Sequence, residues 1–362
     1  MKKYLILAAA TLAAMCACTK NEVFTPDQEI SFQVANYSPA TKAGDATLDG
    51  NADFGVFAYY NTENWADVTG NKTASVYMNN VQVLHGNDDT VKDWAPVKTY
   101  YWPKTGKLSF VGYAPYIATS TTSGALQASY TVADGVKFNN FAITTTPGDG
   151  NKDYNLLYSG LVTDQSGNTT GEVHTGVPII FNHALAKLNF NLKFDASKLT
   201  DANKDEFTIV VNKIEIKVNN AGNFTQIPAQ NANNWAITST SKTTVSYAQT
   251  SSTLAATEST DKSKVVMQKD YLADYFVIPD EPCDVTVYYK VNGLPAALDL
   301  VATGTLKGAK NATDNTYEIP YWNMNTIYTY TILISPVGDE PILFDPSVAA
   351  WNTVGPTDVP VK

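Results

Sequence analysis

The sequence predicts an all-β protein built of antiparallel sheets packed face to face. Three observations carry that expectation. Several windows alternate apolar and polar residues with a period of two, which puts successive side chains on opposite faces of a sheet. The windows are separated by Gly, Asn, Asp, Ser and Thr clusters with turn chemistry, notably 118–125, 161–172 and 239–263. Beyond the first eighteen residues, no segment longer than a turn or two carries an apolar stripe of helical period, so crossover helices are not expected.

The clearest alternation is Leu188, Phe190, Leu192 and Phe194, interleaved with Asn189, Asn191 and Lys193. A second sets Ile214, Ile216 and Val218 against Lys213, Glu215 and Lys217. Further strand-like runs are Phe54 to Tyr60, Leu108 to Tyr113, Phe276 to Ile278, Val285 to Tyr289 and Ile327 to Ile334. The chain has 362 residues, enough for two domains, and a boundary is expected near Thr175 to Pro178, where a Thr/Gly-rich loop gives way to Val177-Pro178-Ile179-Ile180-Phe181. Tyr100-Tyr101-Trp102-Pro103 in the first half and Pro320-Tyr321-Trp322-Asn323 in the second form a weak internal echo, each leading into a strand.

Residues 1–17 read as an export signal: Lys2 and Lys3 form a positive start, Leu5 to Ala14 an apolar stretch too short to span a bilayer, and small residues lead up to cysteine. The end, Met15-Cys16-Ala17-Cys18, resembles a lipobox. Ala17 before Cys18 suits a peptidase that cuts after a small residue better than Met15 before Cys16, so Cys18 is the expected lipidation site, an ordinary secreted protein with a chance cysteine being the other reading. Two or more acyl chains, at about 0.8 kcal/mol per buried methylene, would hold the protein on a membrane.

Composition narrows the function classes. Charged residues are 17% of the chain, the formal charge is -10, and there is no arginine. An acidic surface without guanidinium groups disfavours nucleic acid as a partner. With Cys18 lipidated, Cys283 alone remains, so no internal disulfide forms and Cys283 reads as a small buried hydrophobe. Asp49-Gly50-Asn51-Ala52-Asp53 and Asp149-Gly150-Asn151-Lys152-Asp153 share a spacing of oxygen ligands. Phe54 and Tyr154 stand where a calcium loop needs glycine, so turns that feed strands are the expectation there. His85, His174 and His183 are scattered, with no second histidine at metal spacing. No nucleophile elbow, phosphate loop or zinc-protease motif is present, so no catalytic residue, metal or cofactor is expected. Trp65 and Trp94 in loops can stack on sugars if exposed, although packing is the commoner fate of tryptophan.

Taken in order, several segments are similar to the fimbrillin family of type V pilus subunits and related lipoproteins. They are the lipobox at Cys18, Ile30-Ser31-Phe32-Gln33-Val34 followed by Ala40-Thr41-Lys42-Ala43-Gly44, and Phe54-Gly55-Val56-Phe57-Ala58-Tyr59. Next come Tyr101-Trp102-Pro103 with Leu108-Ser109-Phe110-Val111-Gly112-Tyr113-Ala114-Pro115, then Asp153-Tyr154-Asn155-Leu156-Leu157-Tyr158. Phe181-Asn182-His183-Ala184-Leu185-Ala186-Lys187-Leu188, the tyrosine-rich run Ile327 to Ile334 and Trp351 complete the set.

The resemblance implies two tandem transthyretin-like antiparallel β-sandwich domains. The expected division is a signal (1–17), a propeptide-like segment with the first strand (18–42), an N-terminal sandwich (43–176), a C-terminal sandwich (177–338) and a tail that can be donated (339–362). It also implies assembly. A surface protease cuts after a basic residue, here between Lys42 and Ala43, and removes the first strand, and a strand from a neighbouring subunit takes its place. Lys42 also reads as a plain loop lysine, and Asp89-Thr90-Val91 resembles an O-glycosylation acceptor at Thr90. Ile30, Phe32 and Val34 alternate with Ser31 and Gln33, so their removal strips apolar cover and opens an edge for strand addition. Pro341 through Val354 is a candidate donor, broken by Pro346. The function expected is a non-enzymatic, adhesive subunit or anchor of a surface pilus, held at the outer membrane by lipid before processing and partnered by other pilus subunits. The alternative is a monomeric surface lipoprotein that binds glycans.

Overall fold

The structure, a computed structural model, describes residues 28–34, 53–86, 94–143, 155–167, 176–194, 208–248, 253–255, 266–292, 298–307, 313, 316–334 and 343–350. The protein is all-β, with strands and no helix among the described residues. In chain order the strands are β1 (Phe32–Val34), β2 (Phe54–Asn61), β3 (Val76–His85), β4 (Trp94–Pro96), β5 (Lys107–Ala114), β6 (Gln127–Thr131), β7 (Gly135–Ala142), β8 (Leu157–Ser159), β9 (Val162–Gln165), β10 (Val177–Ile179) and β11 (Phe181–His183). They continue with β12 (Ala186–Phe194), β13 (Thr208–Val218), β14 (Ala221–Thr225), β15 (Trp235–Ile237), β16 (Thr243–Ala248), β17 (Thr253–Ala255), β18 (Val266–Val277), β19 (Asp284–Asn292), β20 (Leu298–Thr305), β21 (Thr326–Ile334) and β22 (Leu343–Ala350).

The leading sheet runs β10-β1-β4-β3-β2-β5-β8-β11, with β9 added to β5. Its two end strands, β10 and β11, are separated in sequence by Ile180 alone, so the sheet curls back on itself around one core. Strict alternation makes this possible: Val177, Ile179, Phe181 and His183 all face inward. β2 and β5 are buried on both faces, which explains why Phe54 to Tyr59 reads as a nearly unbroken apolar run. Their inner face meets Phe32, Trp94, Trp102 and Phe181. Their outer face meets Phe138 and Phe141 of β7, Phe224 of β14 and Trp235 of β15.

Those last residues belong to a four-stranded sheet, β15-β14-β7-β6. It takes β14 and β15 from beyond residue 177 and pairs β14 with β7, so ladder pairing crosses the boundary expected at 176/177. β10 and β11 cross it in the other direction by joining the leading sheet.

The trailing region is two sheets, β18-β12-β21-β22 and β16-β13-β19-β20, with β17 added to β13. Alternation in β13, β19 and β21 supplies one buried and one wetter face per strand. The core between the sheets includes Leu188, Phe190, Ile214, Val287, Tyr330 and Trp322. Burying each such side chain contributes about 1.5–3 kcal/mol. Trp322 donates its indole N–H to Tyr330 Oη (2.8 Å), so its one polar atom is satisfied inside the core.

Some sequence readings differ from the structure. The Ser/Thr-rich stretch 239–263, expected as loop, contains β16 and β17. Thr243, Thr244 and Val245 are β-branched, and their preference for a pleated surface outweighs the turn tendency of the serines. Pro346 does not break the tail: β22 runs through it with Pro346 opposite Tyr330, because an edge strand tolerates a missing N–H.

Candidate functional site

The first strand does not lie at an edge. β1 sits between β10, which it pairs in parallel, and β4, which it pairs antiparallel. Removing it therefore leaves a slot with a wall on each side, where an open edge is expected from the sequence. Val177 N–H donates to Ser31 O (2.8 Å). Just ahead of β1, Ile30 N–H donates to Tyr100 O (2.8 Å) and Trp102 N–H donates to Gln28 O (2.9 Å), an antiparallel clasp around the Glu29–Tyr101 bridge. Tyr101 O, turned away from that clasp, accepts from the Tyr77 hydroxyl.

Pro178 lies in β10 opposite Gln33 without harming the ladder. Val177 and Ile179 turn their amides toward β1, so the nitrogen of Pro178 faces away from it. Gly176, at φ +93°, immediately precedes this strand. A Cβ there would meet Phe32 C at 2.9 Å and Gln33 N at 3.1 Å, so a side chain at 176 and a backbone in the slot exclude one another.

The structure brings Ile30, Phe32 and Val34 together as one buried face, with relative exposures of 2%, 1% and 8%. Phe32 meets Phe54 (5.7 Å) and Phe110 (5.6 Å) edge to face. Phe54 in turn contacts Trp94 (5.3 Å) and Phe181 (5.5 Å), and Phe110 contacts Trp102 (5.8 Å). Sequence reasoning found the three buried residues by their alternation. It named Trp94 and the run Tyr100 to Pro103 without placing them against β1, and it missed Gly176, since none is near β1 in the chain. The Thr-Gly-Val-Pro order at 175–178 was the available signal, a glycine placed just ahead of a strand.

Trp65 and Trp94 are not exposed platforms for sugars. Trp94 is 1% and Trp65 8% exposed, each claimed by an aromatic core, and Trp65 N–H donates to Asp164 Oδ1 (2.7 Å). Cys283 is buried, and burial pushes its thiol up to about 11, which suppresses the thiolate a nucleophile needs.

His183 is fully buried at the seam between the leading and trailing sheets. Its Nδ1 lies 2.7 Å from Asn155 Oδ1, and its backbone N–H donates to Asn325 Oδ1 (3.2 Å). Burial first, and then the charge of Lys187, hold its pKa well below the usual histidine value. Trp235 Nε1–H donates to Ala184 O (2.7 Å), tying the four-stranded sheet to the same seam.

Among the described residues, no group of three or more His, Cys, Asp and Glu side chains is placed to hold a metal ion. Cys18, Lys42, Ala43, Thr90, His174 and the 149–153 loop lie outside the described residues, as does all of the 49–53 loop but Asp53.

Comparison with known proteins bears on this arrangement. A solved structure of a candidate cell adhesion protein from Bacteroides uniformis superposes with a TM-score of 0.52 at 16% identity, covering 90% of this chain and 99% of that one, which shows a shared fold. Fimbrium subunit Fim1C of Phocaeicola vulgatus is 27% identical over 210 residues, covering 55% of this chain and 53% of that protein. The match thus spans about half the length of that curated relative. A family model described as Fimbrillin-like matches residues 41–351, most of the chain. The protein belongs to the fimbrillin-like family.

Proposed function

We propose that this protein is a structural subunit or anchor of a cell-surface fimbrium that contributes to adhesion, and that it assembles by strand exchange at the slot holding β1. One observation carries the reading: β1 is an interior strand, paired on both sides and buried through Ile30, Phe32 and Val34, and it lies ahead of the expected cut at Lys42. Cleavage between Lys42 and Ala43 by a surface protease frees β1 from the rest of the chain. The vacated slot then offers backbone groups on β10 and β4 and an aromatic floor, a template for an added strand. Family membership and the relative named as a fimbrium subunit support the same reading.

The candidate donor is the C-terminal segment of another subunit. Ile342-Leu343-Phe344-Asp345-Pro346 repeats the first two apolar positions of Ile30-Ser31-Phe32-Gln33-Val34 at the same spacing, with proline at the third. Among the described residues, β22 stands at the end of its sheet and ladders with β21. Before processing, lipid on Cys18 anchors the precursor to the outer membrane.

The test is native mass measurement of the purified precursor before and after cutting at Lys42. Loss of residues up to 42 together with oligomers that resist mild detergent supports the proposal. A clipped protein that stays monomeric, or one that binds polysaccharide instead, contradicts it. For the anchor, Cys18→Ala abolishes acyl labelling; label that persists in that variant overturns the assignment.

A further inference from the structure

We infer that the slot reads the sequence of its occupant, accepting an extended segment of the pattern apolar-x-aromatic-x-apolar whose central ring fixes the register. The inference rests on the strand-exchange reading and adds which segments qualify. The hydrogen bonds from β10 and β4 go to backbone and cannot tell one register from another. A slip of one residue turns Ser31 and Gln33 inward, whereas a slip of two preserves the buried face and replaces only which apolar residue sits where.

The side-chain environment distinguishes the positions. Phe32, the one ring among the three apolar residues, meets Phe54 of β2 at 82° and Phe110 of β5 at 85°, both edge to face. These rings are themselves braced by Trp94, Phe181 and Trp102, so the pocket is one connected aromatic cluster with fixed walls. Such a cluster favours a ring over an aliphatic group of similar area.

Gly176 has a separate role. The three nearest atoms to its would-be Cβ are Phe32 C, Gln33 N and Phe32 O, at 2.9, 3.1 and 3.2 Å, all main chain. Gly176 therefore admits any strand, and the aromatic pocket chooses among them.

The experiment uses full-length protein carrying a specific protease site at 42/43, nicked there and then challenged with a fluorescent peptide of residues 28–36. Competing peptides carry Phe32→Ala, or exchange Ile30 and Phe32 so that composition is unchanged. The account expects the parent peptide to enter. It expects Phe32→Ala to bind weaker by about 100-fold or more. The exchanged peptide should bind weaker by about 10-fold or more, as expected from the loss of two edge-to-face ring contacts. Gly176→Ala should weaken all three peptides by a common factor.

If the exchanged peptide binds as well as the parent, the slot is a generic apolar groove and the inference fails while strand exchange stands. If no peptide enters the nicked protein, strand exchange itself fails and takes the inference with it. If Gly176→Ala changes the ranking of the peptides, its assignment as a backbone-admitting position is wrong.

Discussion

The first and last strands of the described chain are both apolar ribbons near a terminus, and they are held in opposite ways. β1 lies inside the leading sheet with a neighbour on each side and its apolar face covered, whereas β22 lies at the edge of a trailing sheet with β21 as its ladder partner among the described residues. Val348 of β22 remains 57% exposed. An edge can be left bare at modest cost, but an empty interior slot exposes two rows of backbone groups and an aromatic floor at once. Thus an empty β1 slot is the costlier of the two vacancies.

The sharpest way to break this contrast is to truncate one side chain in each strand. Phe32→Ala is expected to cost about 3–5 kcal/mol of unfolding free energy, as for other buried phenylalanines. Gly176→Ala is next, at about 1–3 kcal/mol, because it strains a left-handed backbone position and presses on the main chain of β1. Denaturant titration followed by tryptophan fluorescence measures both, and a loss under 1 kcal/mol at Phe32, on the order of the smallest large-to-small core effects, removes the claim that β1 is structural cover.

A smaller effect lies at the seam that joins the two regions. His183 has its folded-state pKa depressed well below 6.5, so the unfolded chain takes up a proton near that value while the folded one resists. Stability from this residue is complete above about pH 6.5 and is lost as pH falls below it, by at most about 1.4 kcal/mol per unit. Urea midpoints at pH 7.5 and 5.5 should differ in the native protein and converge in His183→Gln. A midpoint that is flat with pH in the native protein contradicts a buried neutral imidazole. Smallest of all, Val348→Ser should change stability by less than about 0.5 kcal/mol, as at other exposed sites. A loss there equal to that of Phe32→Ala erases the distinction between slot and edge.

How much of this was legible in the sequence differs along the chain. Strands with one wet face, such as β12, β13, β19 and β21, announce themselves by alternation, and β2 and β5 by runs buried on both sides. β3 was hidden because Asn79-Asn80 interrupts its pattern; Asn80 adopts φ 53° where the register with β2 shifts, and its side chain bonds Tyr113 and Ile117 O. The pairing of β14 with β7 joins residues about eighty apart and leaves no local trace. At the candidate site the alternation of Ile30, Phe32 and Val34 was readable. That two walls enclose them was not, because β10 and β4 come from distant stretches and meet β1 only when the leading sheet curls closed.

The most direct test of the central claim, that β1 is a replaceable interior strand, is to lock it in place. Gln33 and Pro178 are register partners on β1 and β10, and strands about 4.8 Å apart lie within disulfide reach. A Gln33→Cys, Pro178→Cys variant, cut at Lys42 and followed by native mass measurement, should stay monomeric with its leading segment attached while oxidised. On reduction it should lose that segment and form oligomers. Oligomers that form equally fast from the oxidised, locked protein would contradict the account.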